Sequence, residues 1–175
     1  MPDANITKSA LARSMKKLMG EKDFQKISVT DICDMCGMNR KSFYYHFKDK
    51  YDLMNWIFYT DFVSMVTVEK ITSGWDLLIA VMELFYKDQD FYKSALKTEG
   101  QNSFSEYFHE SMLPIVVFMF EDSFEDSNSA DTMIDIFCDY CLTAAIRWLE
   151  HGCTEGPEVF MENMKKMILK IASSI

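Results

Sequence analysis

Apolar residues recur along this chain mainly at spacings of three and four, which is the period of a helix with one buried face. The first such row comprises Leu11, Met15, Leu18 and Met19, and it predicts a helix over 6–19. Alternating patterns that are typical of strands are scarce. Beyond residue 50 the pattern predicts helices near 50–70, 75–88, 90–99, 103–122, 129–151 and 157–173. The pattern therefore predicts an all-α fold.

Two short helices joined by a tight turn are predicted between residues 27 and 50. Ser28 can cap the first helix, and Asp31 can return the bond as in a capping box. Gly37 suits the left-handed residue that ends this helix, and Asn39 can cap the next one. Consecutive capped helices of this length predict a helix-turn-helix hairpin.

Helix ends are also marked in the C-terminal part. Pro114 lies inside the helix predicted at 103–122 and is expected to kink or divide it. Gly152 is a stop signal, and Pro157 is suited to the first turn of the last helix.

The second helix of the hairpin presents residue types that read DNA. At about 100° per residue, Phe43 and Phe47 fall on its buried side, and cationic and hydroxyl side chains fall on the remainder. Arg and Lys can bind guanine in a major groove about 12 Å wide, and Tyr and Ser suit phosphates. Asp49 can cap a third helix that offers the Lys50 ammonium to a phosphate. The alternative is a solvated charged helix whose aromatic residues belong to the core.

The charge distribution separates the hairpin from the rest of the chain. Residues 1–50 contain ten Lys and Arg against six Asp and Glu, whereas the remaining 125 residues contain eight against 21. A net charge of −9 for the whole chain would normally argue against nucleic acid. The surplus of four positive charges in the first 50 residues lies where a DNA-reading hairpin needs it.

The stretch from Ser28 to Leu53 resembles the N-terminal domain of the TetR family of transcriptional regulators. The likeness rests on the turn Cys36-Gly37-Met38-Asn39 and on the run Ser42-Phe43-Tyr44-Tyr45-His46-Phe47, which is followed by Lys50. It implies an all-α homodimer with a three-helix DNA-binding domain at 1–50 and a helical domain for dimerisation and effector binding at 51–175. The positions that the family uses for DNA are occupied by Thr30, Arg40, Lys41, Ser42, Tyr44, Tyr45, His46 and Lys50.

Two details limit what this resemblance implies. Many relatives carry small residues where this chain has Arg40 and Lys41, so no operator sequence is transferred. The run Arg147-Trp148-Leu149-Glu150-His151-Gly152, followed by Gly156-Pro157-Glu158, is similar to a Firmicutes subset that includes regulators of dihydroxyacetone kinase operons. Some members of that subset act with a protein partner. A helical co-regulator that works mainly through a protein partner is therefore the alternative function.

The last two predicted helices carry long apolar rows. In the TetR family these helices pair across a two-fold axis as a four-helix bundle, so the resemblance implies that the rows form a dimer interface. The alternative is that they only complete the core of one subunit. The predicted interface residues are Phe137, Cys141, Ala145, Trp148, Phe160, Met164, Met167, Ile168 and Ile171.

The C-terminal part is rich in aromatic residues and methionine. Such side chains can line an apolar pocket between helices, where a small apolar or amphipathic effector would bind. They can equally fill a solid core. The predicted pocket residues are Trp56, Tyr59, Phe62, Phe85, Phe104, Tyr107, Phe108, Phe118 and Tyr140.

The five cysteines include two C-x-x-C pairs, Cys33 with Cys36 and Cys138 with Cys141. Four thiolates can hold zinc, but both pairs lie within predicted helices, where free cysteine behaves as a small apolar residue. We therefore predict reduced thiols, no metal and no cofactor.

No constellation in the sequence predicts catalysis. Glu106 and His109 have the spacing of half a di-iron carboxylate site, but a second Glu-x-x-His is missing. No serine or cysteine stands in a recognisable nucleophile motif. A signal peptide and an apolar run of about 18 residues are also missing, so we predict a cytoplasmic non-enzyme without a membrane span.

These observations predict a sequence-specific DNA-binding transcriptional regulator of the TetR type. We expect a homodimeric repressor that binds a double-stranded operator and is released by a small-molecule effector.

Overall fold

The computed structural model describes residues 2–68, 71–98, 103–120 and 130–173, and these ranges contain helices and no strand. The elements are α1 (Pro2–Glu21), a 3₁₀ helix (Phe24–Lys26), α2 (Val29–Cys36), α3 (Arg40–His46), α4 (Lys50–Val68), α5 (Gly74–Lys87), α6 (Gln89–Ala95), α7 (Phe104–Phe120), α8 (Ala130–Glu150) and α9 (Pro157–Ala172). This architecture confirms the predicted all-α fold.

The helix boundaries lie within a few residues of the predicted ones. The 3₁₀ helix was not predicted, because three residues are too few to show a period. α7 continues through Pro114 as one helix, so the proline does not divide it. Proline has no N–H to donate to the carbonyl four residues earlier, which is that of Glu110. Pro114 and Glu110 are both exposed, so this carbonyl lies on the solvent side of the helix.

The described residues form two compact units, each built from separate segments. The first comprises Met1–Asp61 with Asp90–Phe108, and the second comprises Phe62–Gln89 with His109–Ile175. The unit that contains the hairpin is therefore larger than the segment 1–50. The functional division at residue 50 stays a prediction.

The core of the first unit explains why α1 supports the hairpin. α1 packs against α2 and α3, and its apolar row Leu11, Met15, Leu18 and Met19 is buried as predicted. Phe43 of α3 is fully buried in the same unit. Burial of each side chain of this size stabilises the fold by about 1.5–3 kcal/mol, so the apolar faces hold the hairpin in place.

Some of the predicted pocket residues fill this core. Phe104, Tyr107 and Phe108 surround the ring of Phe58 edge to face, at centroid distances of 5.4, 6.2 and 5.8 Å. These three rings thus match the alternative of a filled core. Trp56 packs against Phe47.

The other predicted pocket residues do not share one environment. Tyr59 of the first unit is exposed. In the second unit Phe85 is buried, Phe62 and Tyr140 are half-buried, and Phe118 is exposed. An effector pocket lined by them stays a prediction.

In the second unit α5 packs against α8 and α9. Trp148 lies between the rings of Tyr86 and Phe160, at centroid distances of 6.0 and 4.8 Å, and its indole N–H donates to the Glu155 carbonyl at 3.0 Å. α8 ends at Glu150, and Gly152 just after it has a left-handed φ of 76°; Pro157 begins α9, as predicted.

The predicted dimer residues differ in their burial. Cys141, Ala145, Trp148 and Met164 are buried within the single subunit, where they pack in its core. A dimer interface formed by these rows stays a prediction. The pattern could not separate the two roles, because both need apolar residues. Phe137, Phe160 and Ile168 are half-buried, Met167 is exposed, and the side chain of Ile171 lies outside the described residues.

Candidate nucleic-acid interface

The α2–α3 hairpin is held by its caps. Ser28 Oγ accepts a hydrogen bond from the Asp31 N–H at 3.1 Å, and the Asp31 carboxylate accepts from the Ser28 N–H at 2.7 Å. Gly37 ends α2 with a φ of 68°, a conformation that costs glycine least. Asn39 Oδ1 accepts from the Ser42 N–H at 2.9 Å. The predicted caps and turn are therefore present.

These caps orient α3 with one apolar side inward. Phe43 and Phe47 are buried, as the helical wheel predicted. Arg40, Lys41, Tyr44 and Tyr45 are exposed, and Tyr45 is 82% exposed. The polar face of α3 is therefore available to a groove.

Arg40 and Tyr44 form a pair on this exposed face. The guanidinium carbon of Arg40 lies 5.7 Å from the Tyr44 ring centroid, and Nη2 is 3.4 Å from the Tyr44 hydroxyl oxygen. The hydrogen bond to Tyr44 raises the pKa of Arg40. The pair therefore places a planar cation at the N-terminal end of α3. A guanidinium is the side-chain group that can bind guanine bidentately.

The remaining predicted DNA contacts differ in how their polar groups are used. The Ser42 hydroxyl already donates to Asn39 Oδ1 at 3.2 Å. The His46 ring lies edge to face with Tyr45, at 4.9 Å between centroids. Thr30 is exposed near the start of α2. Lys41 has no hydrogen-bond or ion-pair partner among the described residues.

Lys50 points toward the protein and not along the exposed face of α3. Its Nζ donates to the carbonyls of Phe24, Ile27 and Gln25 at 2.8, 2.9 and 3.3 Å. Burial lowers the pKa of Lys50. These bonds could not be predicted from the sequence, because the acceptors are backbone atoms about 25 residues away and any residue type supplies a carbonyl.

An ion pair joins the start of α2 to the end of α1. Lys22 Nζ lies 3.2 Å from the Asp31 carboxylate. The Ser28 N–H, the Ser28 hydroxyl and Lys22 together lower the pKa of Asp31 to about 2. Asp31 therefore stays ionised and holds the N-terminus of α2 over the ordinary pH range.

The cysteines are free thiols. Burial raises the pKa of Cys138 to about 11 and that of Cys141 to about 12, so both stay protonated near neutral pH. Within the described ranges, no group of three His, Cys, Asp or Glu side chains is arranged to hold a metal ion. In the same part of the chain, no helix has the length and apolar character to cross a membrane.

Two family profiles match the chain. Residues 15–56 match the profile described as bacterial regulatory proteins, tetR family, which spans the hairpin. Residues 75–170 match the profile described as transcriptional regulator C-terminal region. Both describe regulators and not enzymes, which confirms the predicted non-enzymatic class.

Individual relatives agree with these matches. The HTH-type dhaKLM operon transcriptional activator DhaS of Lactococcus lactis subsp. lactis (strain IL1403) is 27% identical over 144 residues, which cover 80% of this chain and 75% of DhaS. This match confirms the weaker resemblance to regulators of dihydroxyacetone kinase operons.

Solved structures share the fold. The dihydroxyacetone kinase operon activator DhaS superposes with a TM-score of 0.65 at 19% identity, covering 94% of this chain and 95% of that one. NalD, the secondary repressor of the MexAB-OprM multidrug efflux pump in Pseudomonas aeruginosa, gives 0.67 at 15% identity, with 96% of each chain covered. The fatty acid degradation regulator FadR from Bacillus halodurans gives 0.61 at 12% identity, covering 93% of this chain and 94% of FadR.

Proposed function

Because this chain belongs to the TetR family of bacterial regulatory proteins, we propose that it controls transcription by binding a specific operator as a homodimer. The observation that carries the proposal is the capped hairpin whose exposed face presents Arg40, Lys41 and Tyr44. A helix of this kind fits a major groove about 12 Å wide. Its cations bind base edges, and Tyr45, Thr30 and His46 reach phosphates or groove walls.

Selection of DNA from a random-sequence pool tests this proposal. The purified protein, without any partner, is expected to enrich one sequence with two-fold symmetry and half-sites about one helical turn apart. Footprinting should then show protection of both half-sites. Failure to enrich any sequence would refute the proposal and favour a co-regulator that needs a protein partner.

We infer that the homodimer forms through an exposed surface on α8 and α9. Met133 and Ile136 of α8 are 48% and 62% exposed, and Met167 of α9 is 43% exposed. The Tyr140 hydroxyl lies 3.8 Å from Met167 Sδ, so the two helices contribute to one surface. We call Met133, Ile136, Tyr140 and Met167 the α8–α9 apolar face.

This choice of surface follows from the burial of the inner rows. The residues on the inner sides of α8 and α9 already pack within the subunit, so a partner has to use the outer sides. Met133, Ile136 and Tyr140 recur at spacings of three and four, which places them on one stripe of α8. A two-fold axis would place the same stripe of the second subunit against it, which removes these apolar side chains from water.

The sign of regulation has two candidates. Repression relieved by a small apolar or amphipathic effector is the function that the sequence predicted. Activation is favoured by the similarity to DhaS, whose name describes a transcriptional activator. We keep repression as the first candidate, because a dimer on an operator that overlaps a promoter blocks polymerase without further contacts.

Transcription in vitro from promoters that contain the selected operator separates the two candidates. Repression predicts that added protein lowers transcript yield and that a released state restores it. An increase in transcript yield on addition of the protein would instead establish activation.

A further inference from the structure

The N–H groups of the Lys50 ammonium donate to backbone carbonyls. An ammonium carries three N–H groups, and three carbonyl oxygens, those of Phe24, Gln25 and Ile27, accept from Nζ within 3.3 Å. The Nζ also lies 4.4 Å from the centroid of the Phe24 ring. These contacts leave no donor directed toward a phosphate.

These bonds join the two ends of the DNA-reading segment. The Ile27 carbonyl lies one residue before Ser28, the cap of α2, and Lys50 is the first residue of α4. The residues between them form α2, the turn, α3 and the connection to α4. The 2.9 Å bond from Lys50 to Ile27 therefore closes this segment into a ring.

Neighbouring contacts hold the same junction. The Phe24 ring meets the Tyr51 ring edge to face at 5.0 Å, and Gln25 Nε2 donates to the Tyr51 hydroxyl at 3.5 Å. Phe24 and Ile27 are buried. Lys50 and Tyr51, the first two residues of α4, thus both contact the 3₁₀ helix. Of the two, Lys50 is the residue that binds the backbone carbonyls of that helix.

We propose that Lys50 is a positioning residue for DNA recognition, which sets the orientation of α3 by tying the start of α4 to the start of α2. It does not itself neutralise a phosphate. The role rests on the proposed DNA binding and acts through α3. Removal of the ammonium opens the ring, so that α3 loses its alignment. This weakens the contacts to bases, because they need accurate placement of the side chains of α3.

The substitution Lys50→Met tests this role, because methionine keeps an apolar stem of similar shape and lacks the ammonium. Affinities of the full-length dimer for the selected operator and for random DNA are measured over a series of salt concentrations, below the melting temperature of the variant. We expect operator affinity to fall about tenfold or more, random-DNA affinity to change little, and the salt slope to stay unchanged.

Lys48→Met is the matched control, since Lys48 is an exposed lysine two residues away. We expect it to leave the melting temperature and the ratio of operator to random affinity unchanged. A direct phosphate contact by Lys50 would instead make Lys50→Met lower the salt slope by about 0.9 and weaken both DNAs alike. That result, or operator affinity equal to wild type, would overturn the proposal.

Two further measurements do not depend on whether Lys50→Met folds. One uses the substitution Lys50→Arg, and the other is an NMR measurement on the native protein. Lys50→Arg retains a cation and is expected to recover part of the lost affinity. The native Lys50 ammonium should give a slowly exchanging ¹⁵N signal in the free protein, and addition of operator should leave it unchanged. A signal that forms only on DNA, with coupling to a phosphorus nucleus, would contradict the positioning role.

These experiments distinguish failure of the proposed DNA binding from failure of the positioning role of Lys50. If native protein selects no operator but the free-state signal is present, the proposed DNA function fails while the carbonyl contacts stand. If native protein binds its operator and Lys50→Met binds it equally well, the positioning role fails and the proposed function stands.

Discussion

Arg40 and Lys41 are neighbours on α3, but their cations are held differently. Arg40 lies against the Tyr44 ring and its hydroxyl, whereas Lys41 has no hydrogen-bond or ion-pair partner among the described residues. A side chain that is already ordered loses less conformational freedom when it binds a base. We therefore expect Arg40 to contribute more to sequence discrimination than Lys41.

The first prediction concerns the single side chain of Arg40 and the substitution Arg40→Ala. We expect this variant to lose about 1–3 kcal/mol of binding free energy on the operator and much less on random DNA, because a bidentate contact to a base is removed. Lys41→Ala should show the same pattern with a smaller loss. Fluorescence anisotropy with labelled operator and scrambled duplexes measures both.

Lys17→Ala serves as the control, since Lys17 is an exposed lysine on α1, outside the hairpin. It should leave the ratio of operator to random affinity unchanged. Equal losses on both DNAs for Arg40→Ala would show that Arg40 binds phosphate and only positions the protein.

At the scale of an element, α2 depends on the charge of its capping box. The Asp31 carboxylate accepts from the Ser28 N–H and hydroxyl at 2.7 and 2.8 Å, and Lys22 lies 3.2 Å away. These partners lower the pKa of Asp31 from 3.8 to about 2. The stabilisation is therefore complete above the unfolded pKa of about 4 and is lost as pH falls toward about 2.

The second prediction follows from this linkage. Asp31→Asn cannot lose a charge on acidification, so its free energy of unfolding should fall less steeply than that of wild type between about pH 4 and about pH 2. Urea unfolding followed by circular dichroism at several pH values measures the slope.

Asp34→Asn removes an exposed carboxylate from the same helix and is the matched comparison. If Asp31→Asn and Asp34→Asn change the pH dependence by the same amount, the capping box is not its source.

At the scale of the whole molecule, dimerisation decides whether two hairpins can read one operator. The third prediction concerns the α8–α9 apolar face. Met133→Glu with Ile136→Glu should give folded monomers, because each charge is introduced twice across a two-fold interface. Sedimentation velocity measures the mass, and operator affinity should fall with it.

Leu169→Glu is the control for this pair. Leu169 is 60% exposed on α9 and is not part of the α8–α9 apolar face, so the same type of change should leave the dimer intact. Met164→Glu is unsuitable, because Met164 is buried and a charge there would unfold the subunit. A double variant that remains a folded dimer would place the interface elsewhere.

A fourth prediction, also for the whole molecule, concerns regulation by a small molecule. If an apolar or amphipathic effector lowers operator affinity by some factor, operator must lower effector affinity by the same factor. Thermal-shift screening with metabolites of neighbouring genes can identify a compound, and calorimetry with and without operator then compares the two factors. Metabolites that stabilise the protein without changing operator affinity would argue against ligand-controlled DNA binding.

The sequence alone predicted most of the local structure, namely the helices, their caps and the turn of the hairpin. Caps, turns and apolar periods act within a few residues, so Ser28, Gly37 and Asn39 identify the hairpin, and the row from Leu11 to Met19 identifies the helix that supports it. The all-α class follows from the same short-range signals. The resemblance to the TetR family added the order of the domains.

Only the tertiary structure shows which apolar residues are buried inside the single subunit. A helical period shows that Cys141, Trp148 and Met164 avoid water, but not whether their own chain or a partner covers them, because apolar contacts are not directional. The role of Lys50 was hidden for a related reason. Its acceptors are carbonyls, which every residue carries, so only the folded chain shows which of them it binds.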